Sequence, residues 1–266
     1  MERNNYIAIF DSGVGGFTTL MDAVNIFPNE NFLFFADTAN VPYGEKPLER
    51  ARELTFKAVE HIGEYGTKAV VLACNTATSA AAAQLRQTYS IPILGMEPAI
   101  KPALGATRDN TEAKRVLLLS TLLTMRGEKL ARLLSNIDTD NRVDCLPLSG
   151  LVEFAENMDF SSRQVIDYLK QNIFELELSR YGAIVLGCTH FIWYRKLLQQ
   201  MLPPHIKLFD GNIGTLENLR AILKEKELLA SRKESERKII LHFTDNTNTD
   251  RTNLLVKMLG FPAEVV

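Results

Sequence analysis

Cys74 and Cys188 each close an apolar run and open a polar one. Residues 69–80 read Ala-Val-Val-Leu-Ala-Cys-Asn-Thr-Ala-Thr-Ser-Ala, and residues 183–190 repeat the plan as Ala-Ile-Val-Leu-Gly-Cys-Thr-His. A cysteine at the C-terminal end of a buried strand stands just before the next helix, whose dipole favours a thiolate. One such cysteine is most simply a small buried hydrophobe. Two, at matched and polar-flanked positions, point to chemistry.

A third strand end carries Asp11-Ser12-Gly13-Val14-Gly15-Gly16. Thr18 stands where the dinucleotide fingerprint needs its third glycine, and no Walker-type lysine follows, so nucleotide binding is set aside. The backbone N–H groups of such a turn can still cradle a small anion such as a carboxylate, with Ser12 and Gly13 as the natural donors. Asp11 can cap the following helix or exchange protons, and His190 has the same two options. Glu153 lies in the apolar setting Leu151-Val152-Glu153-Phe154, where desolvation would raise a carboxyl pKa towards neutrality. Cys74, Cys188, His190 and Asp11 are a conceivable tetrahedral metal set, but Cys-x-His is not a usual zinc spacing, and no metal is expected.

The elements that must position these groups alternate regularly. Strands are expected at 6–10, 31–36, 68–73 and 91–94, with helices at 17–27, 48–65 and 77–89. The glycine- and proline-bearing stretch 95–102 suits a crossing between domains. A second cycle follows, with strands at 115–119, 142–146 and 183–186 and helices at 125–134, 161–177 and 191–201. Asp11-Ser12 matches Ser120-Thr121, and Cys74-Asn75-Thr76 matches Cys188-Thr189-His190, which reads as an internal duplication strongest at the strand ends, where open parallel sheets bind ligands. The fold class is therefore α/β, with two pseudo-symmetric domains, each a mostly parallel sheet flanked by helices, and an active site in the cleft between them. Residues 1–97 plus 208–266 form the first, discontinuous domain and 98–207 the second, with 206–209 as the return strand to the first sheet.

Thirty basic and 32 acidic residues give a net charge of −2. No basic face stands out, so nucleic acid is an unexpected partner. No apolar run reaches the ~20 residues of a membrane span, and the polar start at 1–5 leads straight into a strand, so no membrane association and a cytoplasmic location are expected. The mixed-charge run 224–238 reads as a solvated helix and turn. Three cysteines are too few for a disulfide framework. Cys145 has no matched partner and reads as a buried apolar filler.

Four segments together resemble the glutamate racemase family: Asp11-Ser12-Gly13-Val14-Gly15-Gly16, Val41-Pro42-Tyr43-Gly44, Ala73-Cys74-Asn75-Thr76-Ala77 and Gly187-Cys188-Thr189-His190. The resemblance implies interconversion of L- and D-glutamate without pyridoxal phosphate, metal or other cofactor, supplying D-glutamate for peptidoglycan, by a homodimer. It implies that Cys74 serves the D-enantiomer and Cys188 the L-enantiomer, with Asp11 assisting Cys74 and Glu153 and His190 assisting Cys188. Asp11, Ser12, Tyr43, Gly44, Asn75, Thr76, Thr121, Thr189 and His190 match substrate-holding positions. Three departures stand out: Ser120 where the family more often has Gly, Gly150 where Pro is common, and Asp210-Gly211 in place of Asp-Ser. The extension found in members activated by a peptidoglycan precursor is not seen, so no such activation is expected. A related racemase such as aspartate racemase, a non-enzymatic small-molecule binding protein and a redox protein pairing Cys74 with Cys188 are the competing readings.

Overall fold

The computed structural model describes residues 5–108, 113–231 and 233–266. Residues 1–4, most of the polar start, and 232, in the mixed-charge run, lie outside the described residues, as do 109–112. Among the described residues ten strands form two parallel sheets, the first ordered β10-β9-β2-β1-β3-β4 and the second β6-β5-β7-β8. In the first sheet β1 is Tyr6–Asp11, β2 Asn31–Ala36, β3 Thr67–Leu72, β4 Ile93–Gly95, β9 Ile239–Phe243 and β10 Glu264–Val265. In the second, β5 is Arg115–Ser120, β6 Val143–Pro147, β7 Tyr181–Leu186 and β8 Lys207–Phe209.

Alternation along the central strands explains why they are apolar throughout. In β1, Ile7 and Ile9 enter a core with Phe17, Phe34 and Leu216, while Ala8 and Phe10 enter the opposite one with Leu33, Leu54 and Leu72. In β5, Leu117 and Leu119 face one core and Val116 and Leu118 the other. Both faces of each strand are covered, so neither tolerates a polar position until the strand ends.

The duplication is visible in the topology. β6-β5-β7-β8 repeats β2-β1-β3-β4, and the register shifts at the same place in both, between Tyr6 and Ile7 and between Arg115 and Val116. This corrects one expectation. Strand 206–209 does not return to the first sheet: β8 pairs with β7, as β4 pairs with β3. It is the fourth strand of the second cycle and not a return strand, and the chain re-enters the first sheet only at β9.

Some expected helices are shorter or broken. Helix Arg163–Ile173 starts on Ser162, whose hydroxyl accepts the Val165 N–H. The single helix expected at 125–134 is two, Leu122–Arg126 and Glu128–Ile137, separated at Gly127. The one at 191–201 is likewise Thr189–Ile192 and Arg195–Met201. Cys145 is exposed on β6, an edge strand, and is not a core filler. No helix among the described residues is long and apolar enough to cross a membrane.

Candidate active site

The two duplicated strand pairs bring their C-terminal ends to one cavity of about 10 Å³, lined by both cysteines. Ser12, Tyr43 and Gly44 reach it from the first domain, as do Asn75 and Thr76, which open the helix after Cys74. Thr121, His190 and the unexpected Thr124 reach it from the second. Asp11 and Thr189 stand just behind the lining, joined by a 2.9 Å bond from the Thr189 hydroxyl to Asp11 Oδ2. The cavity holds about one water-sized sphere, so a larger molecule enters only if the lining moves apart.

Cys74 is 5% exposed and is itself the N-cap of helix Asn75–Thr88, its Sγ accepting the Ala77 N–H at 3.4 Å and lying 3.4 Å from Ser12 Oγ. The helix end was expected to favour the thiolate. Burial outweighs it: desolvation, then the neighbouring Asp11 charge, push the thiol up to about 12, against the lowering bonds from Ser12 and Ala77. Asp11 is fully buried, and desolvation raises its carboxyl to about 6 despite the His190 charge and bonds from Thr189 and the Gly13 N–H.

The Cys188 end is built differently. Its helix, Thr189–Ile192, is a single turn and offers little dipole. Instead His190 Nδ1 lies 3.8 Å from Cys188 Sγ. Burial alone would lower the His190 pKa, but bonds to Cys188 and Glu156 and the charges of both raise it well above the ordinary imidazole value. The imidazole is thus held as a cation beside the Cys188 sulfur.

Glu156 is the carboxylate that sequence reasoning missed. Glu153 is exposed on helix Gly150–Glu156 and is not brought to the cavity. Glu156, one turn later, accepts from the Val14 N–H at 2.7 Å and pairs with His190 Nε2 at 2.7 Å through the same oxygen, while its other oxygen accepts from Arg251 at 3.1 Å. The glycine turn after Asp11 does cradle a carboxylate, but the protein's own, and the donor is Val14. Gly13 is needed for this approach, since a Cβ there would fall 1.9 Å from Glu156 Oε1. Gly44 plays the same part across the cavity, where a Cβ would lie 2.7 Å from Thr121 Cβ.

Other contacts hold the closed arrangement. Thr76, Thr121 and Thr124 form a triangle of hydroxyls at 3.0–3.1 Å across the domains. Tyr43 donates to Asp37 at 2.6 Å, and burial with that carboxylate raises its phenol pKa. The three departures have local uses. Ser120 donates to the Gly187 carbonyl at 3.1 Å, Gly150 N–H meets Tyr168 Oη in a bond no proline could make, and a Cβ at Gly211 would fall 2.5 Å from the Glu97 carbonyl oxygen. Asn75 Oδ1 is buried without a partner, a costly state that an N–H donor on a ligand would relieve. Among the described residues no group of three His, Cys, Asp or Glu is arranged to hold a metal ion.

Chemically, the cavity offers two sulfurs from pseudo-symmetric strand ends, each with its own acid–base neighbour, and an unpaired acceptor. That is the equipment for moving a proton to and from a carbon centre. Comparison with known proteins agrees. A sequence model of the Asp/Glu/hydantoin racemase family matches residues 28–217. The glutamate racemase of Halothermothrix orenii is 48% identical over 217 residues, covering 82% of this chain and 84% of its own. A glutamate racemase isoform from Bacillus anthracis superposes with a TM-score of 0.85 at 26% identity, covering 100% of this chain and 97% of its own. The Escherichia coli glutamate racemase, solved with L-glutamate and the activator UDP-MurNAc-ala, does so with a TM-score of 0.84 at 25% identity, covering 98% of this chain and 97% of its own.

Proposed function

The chain belongs to the Asp/Glu/hydantoin racemase family, and from that premise we propose that it interconverts L- and D-glutamate by a two-base proton transfer at Cα, supplying D-glutamate for peptidoglycan. The observation that carries this reading is the convergence of two strand-end cysteines, one from each domain, on a single cavity. Inverting a carbon centre requires taking a proton from one face and returning it to the other, so a thiolate and a thiol must flank the substrate. A duplicated strand end delivers that pair.

In the L-to-D direction the Cys188 thiolate removes the Cα proton and the Cys74 thiol delivers one to the opposite face. The reverse direction exchanges the roles. His190, held by Glu156, balances the charge on Cys188, while Asp11 assists at Cys74 as a proton-exchanging neighbour whose own charge favours the protonated thiol there. Ser12, Tyr43, Gly44, Asn75, Thr76, Thr121 and Thr189 hold the substrate's carboxylates and ammonium group. The unpaired Asn75 Oδ1 suits the ammonium, and the threonine hydroxyls suit a carboxylate. Hydrogen-bond donors around the substrate also stabilise the carbanion-like transition state. In this reading the enzyme is a cytoplasmic homodimer, needs no cofactor, and exchanges domains near position 97 and again after Phe209.

The test is to mix pure D-glutamate with the protein in deuterated water, following optical rotation and Cα deuteration by NMR, with D-aspartate in parallel. Loss of rotation with deuterium entry is expected for glutamate, and near-complete loss of racemisation after Cys74→Ser or Cys188→Ser. No exchange with the wild-type chain would leave only the binding or redox readings, and preference for aspartate would move the substrate assignment.

A further inference from the structure

We propose that Arg251 is a positioning residue for one half of the reaction, holding Glu156 from the first domain and, through it, fixing His190 against Cys188. The proposal rests on the racemase reading of the cavity. Arg251 lies on helix Thr249–Leu259, whose Leu255 and Leu259 pack into the first domain's core. Its side chain reaches over to a carboxylate carried by the second domain. Nη1 donates to Glu156 Oε2 at 3.1 Å and Nη2 to the Asp245 carbonyl at 3.3 Å, while Nε has no partner. Asp245 is in turn fixed by two hydrogen bonds to Thr38.

A guanidinium 8% exposed with one N–H unsatisfied is an expensive way to decorate a helix. On the solvent side of the same helix it would cost nothing. What the burial secures is the second oxygen of Glu156. Oε1 is shared by the Val14 N–H and His190 Nε2, and with Oε2 released the carboxylate can pivot about those contacts. The imidazole would then lose its fixed orientation, and its other nitrogen is the one facing Cys188 Sγ. The chain of contacts ends there. Cys74 is held by Ser12 and the Ala77 N–H, with no bond to this network. Arg251 therefore acts on one face of the substrate only.

That one-sidedness has a distinctive readout. Enantiomers have equal free energy, so any variant must show the same kcat/KM in both directions, and rates alone cannot reveal which face was damaged. Isotope effects can. Raising the barrier at Cys188 makes the first step from L-glutamate more limiting and makes deprotonation of D-glutamate at Cys74 more readily reversed. The kcat/KM isotope effect with Cα-deuterated L-glutamate should rise and that with the D-enantiomer should fall.

The experiment measures both isotope effects in the wild type, Arg251→Met and Arg251→Lys. Arg251→Met should lower kcat/KM by roughly tenfold to a hundredfold, the scale of a misplaced catalytic group, with the isotope effects moving apart as stated. Arg251→Lys should restore part of both. Should Arg251→Met fail to fold, Glu156→Gln must give the same split, because it weakens the same carboxylate contacts. Unchanged isotope effects beside a lowered rate, the opposite split, or wild-type rates in Arg251→Met would overturn the proposal. Failure of the racemase reading is distinguishable, since it shows in the wild type as no Cα exchange with either enantiomer.

Discussion

Replacing Gly13 by alanine tests the Glu156 bridge with a single methyl group. The added Cβ would fall 1.9 Å from Glu156 Oε1, 2.9 Å from its Cδ and 3.0 Å from His190 Nε2. Contacts below 3.0 Å are not tolerated, so the carboxylate must withdraw by at least 3.0 − 1.9 = 1.1 Å. Its 2.7 Å bonds to Val14 N–H and His190 cannot survive that shift. A displacement of this size near the chemistry costs about 100-fold in rate. The stability cost is smaller, about 1–3 kcal/mol for the buried groups left unpaired, because a flexible side chain can move aside. The assay is kcat/KM by circular dichroism of glutamate, alongside Tm. Gly63→Ala is the control, since a Cβ there meets nothing within 4 Å. The double variant Gly13→Ala/Glu156→Ala should be no slower than Glu156→Ala alone, as both changes remove one interaction. A Gly13→Ala enzyme within about threefold of wild type, or full additivity in the double variant, would refute the bridge.

Three further outcomes follow from burial. The Asp11 carboxyl is raised to about 6 in the folded state, so the folded protein binds that proton more tightly than the unfolded chain, and the stability this confers is present below about pH 4 and lost as pH rises through 6. Asp11→Asn should therefore unfold at higher denaturant than wild type at pH 8, by roughly 3 kcal/mol, with the difference closing towards pH 4 while racemisation falls; equal curves at pH 8 would contradict the desolvation argument. Lys68 and Glu30, both buried, pair at 2.5 Å far from the cavity, so Lys68→Met should cost about 3–5 kcal/mol in urea titrations and leave kcat unchanged. Iodoacetamide should label exposed Cys145 before the two buried cysteines, and Cys145→Ser should keep wild-type activity; inactivation in step with Cys145 labelling would be the contrary result.

Buried parallel strands announce themselves as unbroken apolar runs, which is why β1, β3, β5 and β7 and the polar residues ending them were legible. Duplication then separated Cys74 and Cys188 from Cys145, whose segment Arg-Val-Asp-Cys-Leu is too polar for a strand covered on both faces. Glu153 was preferred for its apolar neighbours, yet helix periodicity favours Glu156: Val152, Ala155 and Glu156 share the i, i+3, i+4 face, and Val152 and Ala155 are buried. Arg251 had no such signal, because its partner lies 95 positions away in the other domain and only the closing of the two sheets brings them together. Thr124 falls just outside the helix expected from 125, whereas the observed helix Leu122–Arg126 includes it and brings its hydroxyl to Thr76.

The two strand ends share a topology and differ in their electrostatics, and the reaction supplies a reason. Two thiolates in a cavity of about 10 Å³ would repel each other and lack solvent, and two thiols would have no base between them. A working site must hold one proton between two sulfurs, and identical surroundings would not decide which sulfur has it. Burial beside Asp11 keeps the proton on Cys74, while the His190 cation stands next to Cys188. Glu156, pinned by Val14 and Arg251 from the first domain, holds that imidazole from behind, so the asymmetry between the two sulfurs is built from contacts that cross between the sheets.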